Sequence, residues 1–496
     1  MKNLRKLIGI LVVAIVVGLY FFYSVELATT KIVIFHTNDV HGHIETSTVL
    51  SNFLKSQQKP YILLDAGDIF QGTPEGDLTN GEVCVKVMNE LGYDTLTVGN
   101  HEFDKGQKRL KKLVEMANFS VLGANVIDKK TKNIVKWLEP YYIKEIYGVR
   151  IGVLGLTTSA MPYITMPEVR RGLEFRKETD VAKNYIPLLK QKCDVVVALT
   201  HIGLAKEGEF EDDVFLAENT DGIDIIIGGH THNFLKKPIL VKNTMIVQAG
   251  CYGKCVGQIV IKIRKGKIVS KKYKLIPLNR KKLGEDTELK TKIGKLTEQI
   301  SAKMESIIGS SAQKLSHSVT DKNGEIPLGN WQADVFRKIT NSDIAFQNAG
   351  GIRADLPEGK ITLRNLYELS PFGNTIFTMK LTGSQIKEIL ESSVSGRFGM
   401  LQVAGLKFKY DRNRKAADKV VEITVRNQPI NPKKYYKVAT NSFVAKGGDG
   451  FDTFKKGKEI RDTGIIDRDA QIQFVKSYSP IKAQLESRIV NITKEK

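Results

Sequence analysis

From Lys31 onward, short apolar and largely β-branched runs alternate with polar loops and helical stretches. The runs fall at residues 32–35, 61–64, 95–98, 121–122, 151–156, 195–199 and 223–227. They are mostly unbroken by polar positions, which predicts strands buried on both faces of a layered α/β domain. Two further runs, 258–263 and 268–275, are predicted to close that domain. Between residues 285 and 309, Leu289, Ile293, Leu296, Ile300, Met304 and Ile307 recur at steps of three and four, an amphipathic helix suited to linking two domains. From Ser311 a second globular region mixes helices (329–339, 384–393) with strands (404–410, 419–425). The expected organisation is 1–30, an N-terminal signal or anchor; 31–280, the first domain; 281–310, a linking helix; and 311–496, the second domain. A chain of 496 residues exceeds one ordinary core.

The loops at the ends of these runs are more telling than the runs themselves. They read Thr37-Asn-Asp-Val-His41, Asp65-Ala-Gly-Asp68, Gly99-Asn-His101, Thr200-His201 and Gly228-Gly-His-Thr-His232. Strand ends in such sheets converge on one rim, so five loops deliver metal-type side chains to one place. Taken alone, Asn100 to Asp104 is also a helix-cap pattern. Of eight histidines, His36 (inside a strand) and His317 read as structural, and His43 fits either a supporting or a plain loop role. His41, His101, His201, His230 and His232 share the rim with Asp39, Asp68 and Asn100. Buried unpaired imidazoles and carboxylates are costly, and a shared cation removes the cost. Asp39, His41, Asp68, Asn100, His201, His230 and His232 exceed the needs of one tetrahedral ion and divide into two metals bridged by a carboxylate. Such a pair suits phosphoester hydrolysis. Asp104, three residues after His101, is spaced to orient that imidazole.

Residues 1–30 stand apart from the fold. Lys2, Arg5 and Lys6 precede an uncharged run over residues 7–23, a signal core or a slightly short membrane anchor whose basic end stays in the cytoplasm. No small-x-small cleavage site follows, which favours an uncleaved anchor and an extracytoplasmic body. The net charge of +21 is compatible with an anionic substrate or surface. Basic stretches with interleaved aromatics are missing, which argues against a nucleic-acid polymer as partner, and no obligate protein partner is evident. Four cysteines are few for an exported chain; Cys251 and Cys255 could bridge across a turn or stay as buried thiols.

The spaced set Asp39-x-His41, Gly67-Asp68, Gly99-Asn-His-Glu102, His201 and Gly229-His-Thr-His232 resembles the calcineurin-like metallophosphoesterases, and Gly-Asn-His-Glu-Phe-Asp104 is similar to the 5′-nucleotidases among them. The resemblance implies a four-layer β-sandwich flanked by helices, then a mixed α/β substrate-binding domain. It implies one ion (Zn, Mn, Co or Mg) on Asp39, His41 and His232, a second on Asn100, His201 and His230, Asp68 bridging, and a His101–Asp104 catalytic dyad. In the second domain Asn348-Ala-Gly-Gly-Ile-Arg353, Ser370-Pro-Phe-Gly-Asn374 and Gly447-Gly-Asp-Gly-Phe451 look like the family's substrate loops. By that resemblance Phe372 and Phe443 sandwich a nucleobase, Asp449 contacts ribose, and Asn348 and Arg353 hold base or phosphate. Where the family has an arginine lead-in, Asp321 to Gly329 offers only Lys322 as a cation. The implied activity is hydrolysis of nucleoside 5′-monophosphates, with 2′,3′-cyclic nucleotides or nucleotide-sugar diphosphates as the alternative substrates. A binding protein on a retired scaffold would lack ligands, and none of the seven is missing.

Overall fold

The computed structural model describes residues 29–494 apart from 59, 205–209, 319–321 and 396–398. The segment read as a signal or anchor lies outside the described residues. Among those described, no helix is long and apolar enough to cross a membrane.

The first half holds two six-stranded sheets. In one, Thr30–Thr37, Ile62–Asp65, Thr95–Thr97 and Ser120–Leu122 run parallel, extended beside Thr30–Thr37 by the antiparallel hairpin Cys255–Arg264 and Lys267–Pro277. In the other, Val149–Thr157, Val195–His201, Ile225–Ile227 and Thr244–Val247 are parallel, with antiparallel edges Tyr141–Ile146 and Ile239–Val241. The inner faces meet through Ile32, Ile34, Leu64, Ile151, Val197 and Ile225, all fully buried. Helices Ser47–Lys55, Glu82–Leu91 and Gln107–Met116 cover one outer face, and Glu178–Lys192 and Asp213–Asn219 the other. Both faces of the central parallel strands are therefore dry, as unbroken apolar runs require, while the edge strands Lys267–Pro277, Tyr141–Ile146 and Ile239–Val241 stay partly exposed. Because both parallel sets share a direction within their sheet, their carboxyl ends form a rim.

The second half is built on a five-stranded sheet in the order Leu401–Ala404, Ile344–Asn348, Tyr435–Asn441, Thr375–Thr382, Lys458–Ile466. Helices Pro327–Ile339, Leu363–Leu369 and Asp467–Tyr478 pack on one face and Gly383–Val394 on the other.

Two expectations change in detail. The strand expected over residues 404–410 is two, Leu401–Ala404 and Leu406–Tyr410, because Gly405 turns at φ 80° with its α-carbon against the Asp343 carbonyl. The connecting helix is Thr287–Met304, and Ile307 belongs to the strand Ile307–Ser311. In that helix Leu289, Ile293 and Met304 are buried, but Leu296 is 42% exposed, so the apolar stripe is narrower than its spacing suggested.

Candidate metal centre and substrate pocket

The seven candidate ligands come from five strand-end loops and converge in two groups. Asp39, His41 and His232 place ligand atoms within 4.8 Å of one another, as do Asp68, His201 and His230. Asp68 lies between them: its Oδ2 is 3.0 Å from His201 Nε2 and 3.9 Å from His41 Nε2. Asn100 is buried in the same rim, and its Oδ1 accepts no hydrogen bond.

Backbone strain concentrates here. Asp39, His41, Asp68, His230 and His232 all adopt positive φ, between 51° and 75°, a region non-glycine residues enter at a cost of about 1 kcal/mol or more each. The loops are held there by main-chain bonds: Asp39 N–H donates to Gly67 O, His41 N–H to Asp68 O and Tyr252 N–H to Asp39 O. The His230 N–H donates to the Asp39 carboxylate. Asn38 adds a brace, donating through Nδ2 to Asp39 Oδ2 and Gly250 O while its Oδ1 accepts from Ala249 N–H.

The donor set fits cations. His41 Nδ1 lies 2.9 Å from Gln71 O and His201 Nδ1 2.6 Å from Ala66 O. Each Nδ1 must therefore carry the proton, and each Nε2 lone pair faces inward. Those lone pairs then meet other polar groups: His41 Nε2 is 3.1 Å from His232 Nε2 and 3.5 Å from Arg353 Nη2, and His201 Nε2 faces the Asp68 carboxylate. His201 Nε2 has no hydrogen-bond partner. An imidazole lone pair facing a carboxylate in a buried site calls for positive charge between them. Without a cation between the ligands, the set splits. Burial opposes the charged form of His201, yet Asp68 and Asp39 raise its pKa to about 10; burial pushes His230 down to about 4 and His41 well below its usual value.

His101 stands beside this centre. Its Nδ1 is 2.7 Å from Asp104 Oδ2, and its backbone N–H donates to Asp68 Oδ1. Burial lowers its pKa, but Asp104 and Asp68 outweigh that and the net shift is upward. Sequence reasoning passed over the next residue, Glu102. Only 3% exposed, it accepts the N–H groups of Asp68, Ile69 and Gly99, clamping two ligand-bearing loops together. Its position in the Gly-Asn-His-Glu string was the available signal. Asn38, between a strand and Asp39, gave none.

Asn100, His101 and Asp104 also line a cleft whose other wall is the second half of the chain: Asn348, Arg353, Phe372, Phe443 and Asp449. Asn348 Nδ2 donates to Asp449 Oδ2, and Asn348 Oδ1 accepts from Asn441. The Phe443 ring lies over Gly448, where a β-carbon would come within 2.5 Å of it. Phe372 stacks on His101 at 5.3 Å between centroids, with the Arg353 guanidinium 5.7 Å from its ring centre. The face it turns to His101 is thus covered in this arrangement. Arg353 reaches the metal-type residues, with Nη2 at 3.5 Å from His41 Nε2. Lys322 is exposed and is not in the cleft wall; its carbonyl accepts from Asn491. Ile164, Thr165, Met166 and Val169 also line the cleft from the first half, and their loop is tied to the second by the Glu168–Lys446 ion pair at 2.9 Å. An apolar loop carries no sequence mark of such a role.

The outlying histidines stand apart from the seven ligands. His36 is fully buried, stacked on Tyr273, without a hydrogen bond to either nitrogen. His317 pairs with Asp355, and His43 with Glu45 beside the Tyr252 ring. All four cysteines are free and buried.

Comparison with known proteins is consistent across sequence and structure. Residues 32–234 match the calcineurin-like phosphoesterase family and residues 307–456 the 5′-nucleotidase C-terminal domain. A 5′-nucleotidase of Vibrio cholerae is 30% identical, over 91% of this chain and 91% of that protein. The trifunctional nucleotide phosphoesterase protein YfkN of Bacillus subtilis is 31% identical over 93% of this chain, which spans only 35% of that longer protein. Among solved structures, the 5′-nucleotidase precursor of Thermus thermophilus aligns with TM-score 0.85 and 30% identity, covering 94% of this chain and all of that one.

Proposed function

This chain belongs to the 5′-nucleotidase family of calcineurin-like phosphoesterases, metal-dependent hydrolases of nucleotide phosphoesters, and from that premise we propose that it converts nucleoside 5′-monophosphates to nucleoside and phosphate outside the cytoplasm. The observation that carries this reading is the composite cleft, in which the His101–Asp104 pair and the stacking and polar groups around Phe443 face one space. Asp39, His41 and His232 would hold one divalent cation and Asn100, His201 and His230 the other, with Asp68 shared. Such a pair supplies Lewis-acid charge that activates water and neutralises phosphoryl oxygens. The protein's own groups do the rest. Asp104 holds the His101 imidazole with its other nitrogen free to stabilise phosphoryl charge or protonate the leaving 5′ oxygen. Arg353, which reaches His41 from the second half, offers a guanidinium fork to phosphate. Phe443 offers a π-face that any base can stack on, while Asp449 and Asn348 present acceptors and donors at sugar or base height. Removing phosphate outside the cell leaves an uncharged nucleoside for uptake, a salvage role.

The test is phosphate release by the protein stripped of metal and resupplied with Mn²⁺, Zn²⁺, Co²⁺ or Mg²⁺, on AMP, ATP, a UDP-sugar, 2′,3′-cyclic AMP and a plain phosphomonoester. Metal-dependent release led by AMP is the expected result. Equal rates on the plain ester would refute a nucleoside pocket, and a lead by the cyclic nucleotide or the UDP-sugar would reassign the substrate.

A further inference from the structure

The positive charge of this chain is not evenly spread. Residues 225–284 contain fourteen Lys and Arg and no Asp or Glu. The fold gathers part of that stretch into the hairpin Cys255–Arg264 and Lys267–Pro277 at the edge of the first sheet. Arg264, Lys265 and Lys267 are exposed at its tip. Among the described residues none of these three pairs with a carboxylate; Asp194 lies near the turn, but its Oδ2 accepts the Arg150 N–H.

The tip carries two departures from stable hairpin design. Arg264 and Lys267 are direct cross-strand partners, a like-charge pairing that weakens a hairpin. The two turn residues, Lys265 and Gly266, have φ of 50° and 70°, the double left-handed turn that favours Asn-Gly, so a lysine occupies the position where asparagine costs least. A solvated surface alone gives no reason for both.

The tip's position supplies one. Thr30 pairs with Ile263, so the first strand starts beside the hairpin tip, and in sequence the uncharged run at residues 7–23 precedes that strand. The metal-type residues begin at Asp39, beyond the other end of the same strand. A strand of eight residues spans roughly 25 Å, so the cleft lies away from whatever the tip touches. We propose that the hairpin tip, with Arg264, Lys265 and Lys267, docks on the headgroups of an anionic lipid bilayer and holds the catalytic rim away from it. This rests on the reading of residues 7–23 as a retained anchor, and the experiment separates the two.

The full chain and a variant carrying Arg264→Gln, Lys265→Asn and Lys267→Gln together are floated at limiting lipid with vesicles of phosphatidylcholine, or of phosphatidylcholine mixed with phosphatidylglycerol. Asparagine suits the turn, and unchanged phosphatase activity in solution certifies the variant's fold. Each cation near an anionic surface changes partition about fivefold, so the variant should lose roughly 100-fold of the preference for phosphatidylglycerol, and salt should erase that preference in the parent chain. A variant that keeps the preference, or a parent chain that binds both vesicles equally, overturns the proposal. Stronger tip-dependent retention by DNA than by vesicles overturns it in favour of a nucleic-acid face. Failure of both chains to bind phosphatidylcholine counts against the anchor alone, and the comparison on phosphatidylglycerol still decides the tip.

Discussion

Two histidines show how much a single position depends on its neighbours. His101 is held by Asp104 at 2.7 Å and faces the cleft. His101→Ala should therefore lower kcat by about 10²- to 10⁴-fold, with the bound metal, measured by elemental analysis, unchanged; loss of metal along with activity would make it a structural residue. His36 is buried without a partner, and burial lowers its pKa from 6.5 to about 3. The unfolded chain takes up that proton below 6.5 while the folded one refuses it until about 3, so the unfolded state gains a proton and stability falls as the pH drops through that window. The full loss is roughly 4–5 kcal/mol. Urea denaturation of wild type and His36→Leu at pH 7 and pH 4 should show a smaller decline in the variant; parallel declines would remove His36 as an acid-sensitive group.

At the level of elements, the site is a set of strand ends, and the groups that join them matter as much as the ligands. Glu102 ties the loop after Ile62–Asp65 to the loop after Thr95–Thr97 through three buried N–H groups. Glu102→Ala leaves those donors unsatisfied at about 1–3 kcal/mol each. It should lower stability by roughly 3 kcal/mol or more and weaken metal binding at least about tenfold, read by calorimetric Mn²⁺ titration. Undiminished metal affinity would show that the loops keep their shape without the clamp.

At the scale of the whole molecule, the cleft exists only because two halves meet. Helix Leu363–Leu369 is fastened to the first half by Arg364, which donates two bonds to Glu75 at 2.7 and 2.9 Å and one to Glu305. Phe443 lies on the second half, away from the reacting centre, so Phe443→Ala should raise the KM for AMP several-fold with a smaller effect on kcat. An equal fall of kcat and kcat/KM would instead place the ring in the reaction step.

Much of the site was legible in the chain because its information is local. A β-branched run followed by Asn-Asp-x-His or Gly-Asn-His-Glu states both a strand and the groups that stand at its end, and parallel strands can only bring such ends to one rim. The sequence by itself thus determined the alternating architecture and the seven residues that gather. Tertiary structure alone decided the rest, because it depends on contacts between residues far apart in the chain: Glu102 as a clamp, Phe372 against His101, a loop at 164–169 in the cleft wall, and a basic hairpin tip beside the first strand. Each is a relation between segments whose own composition permits many roles, and only packing selects one.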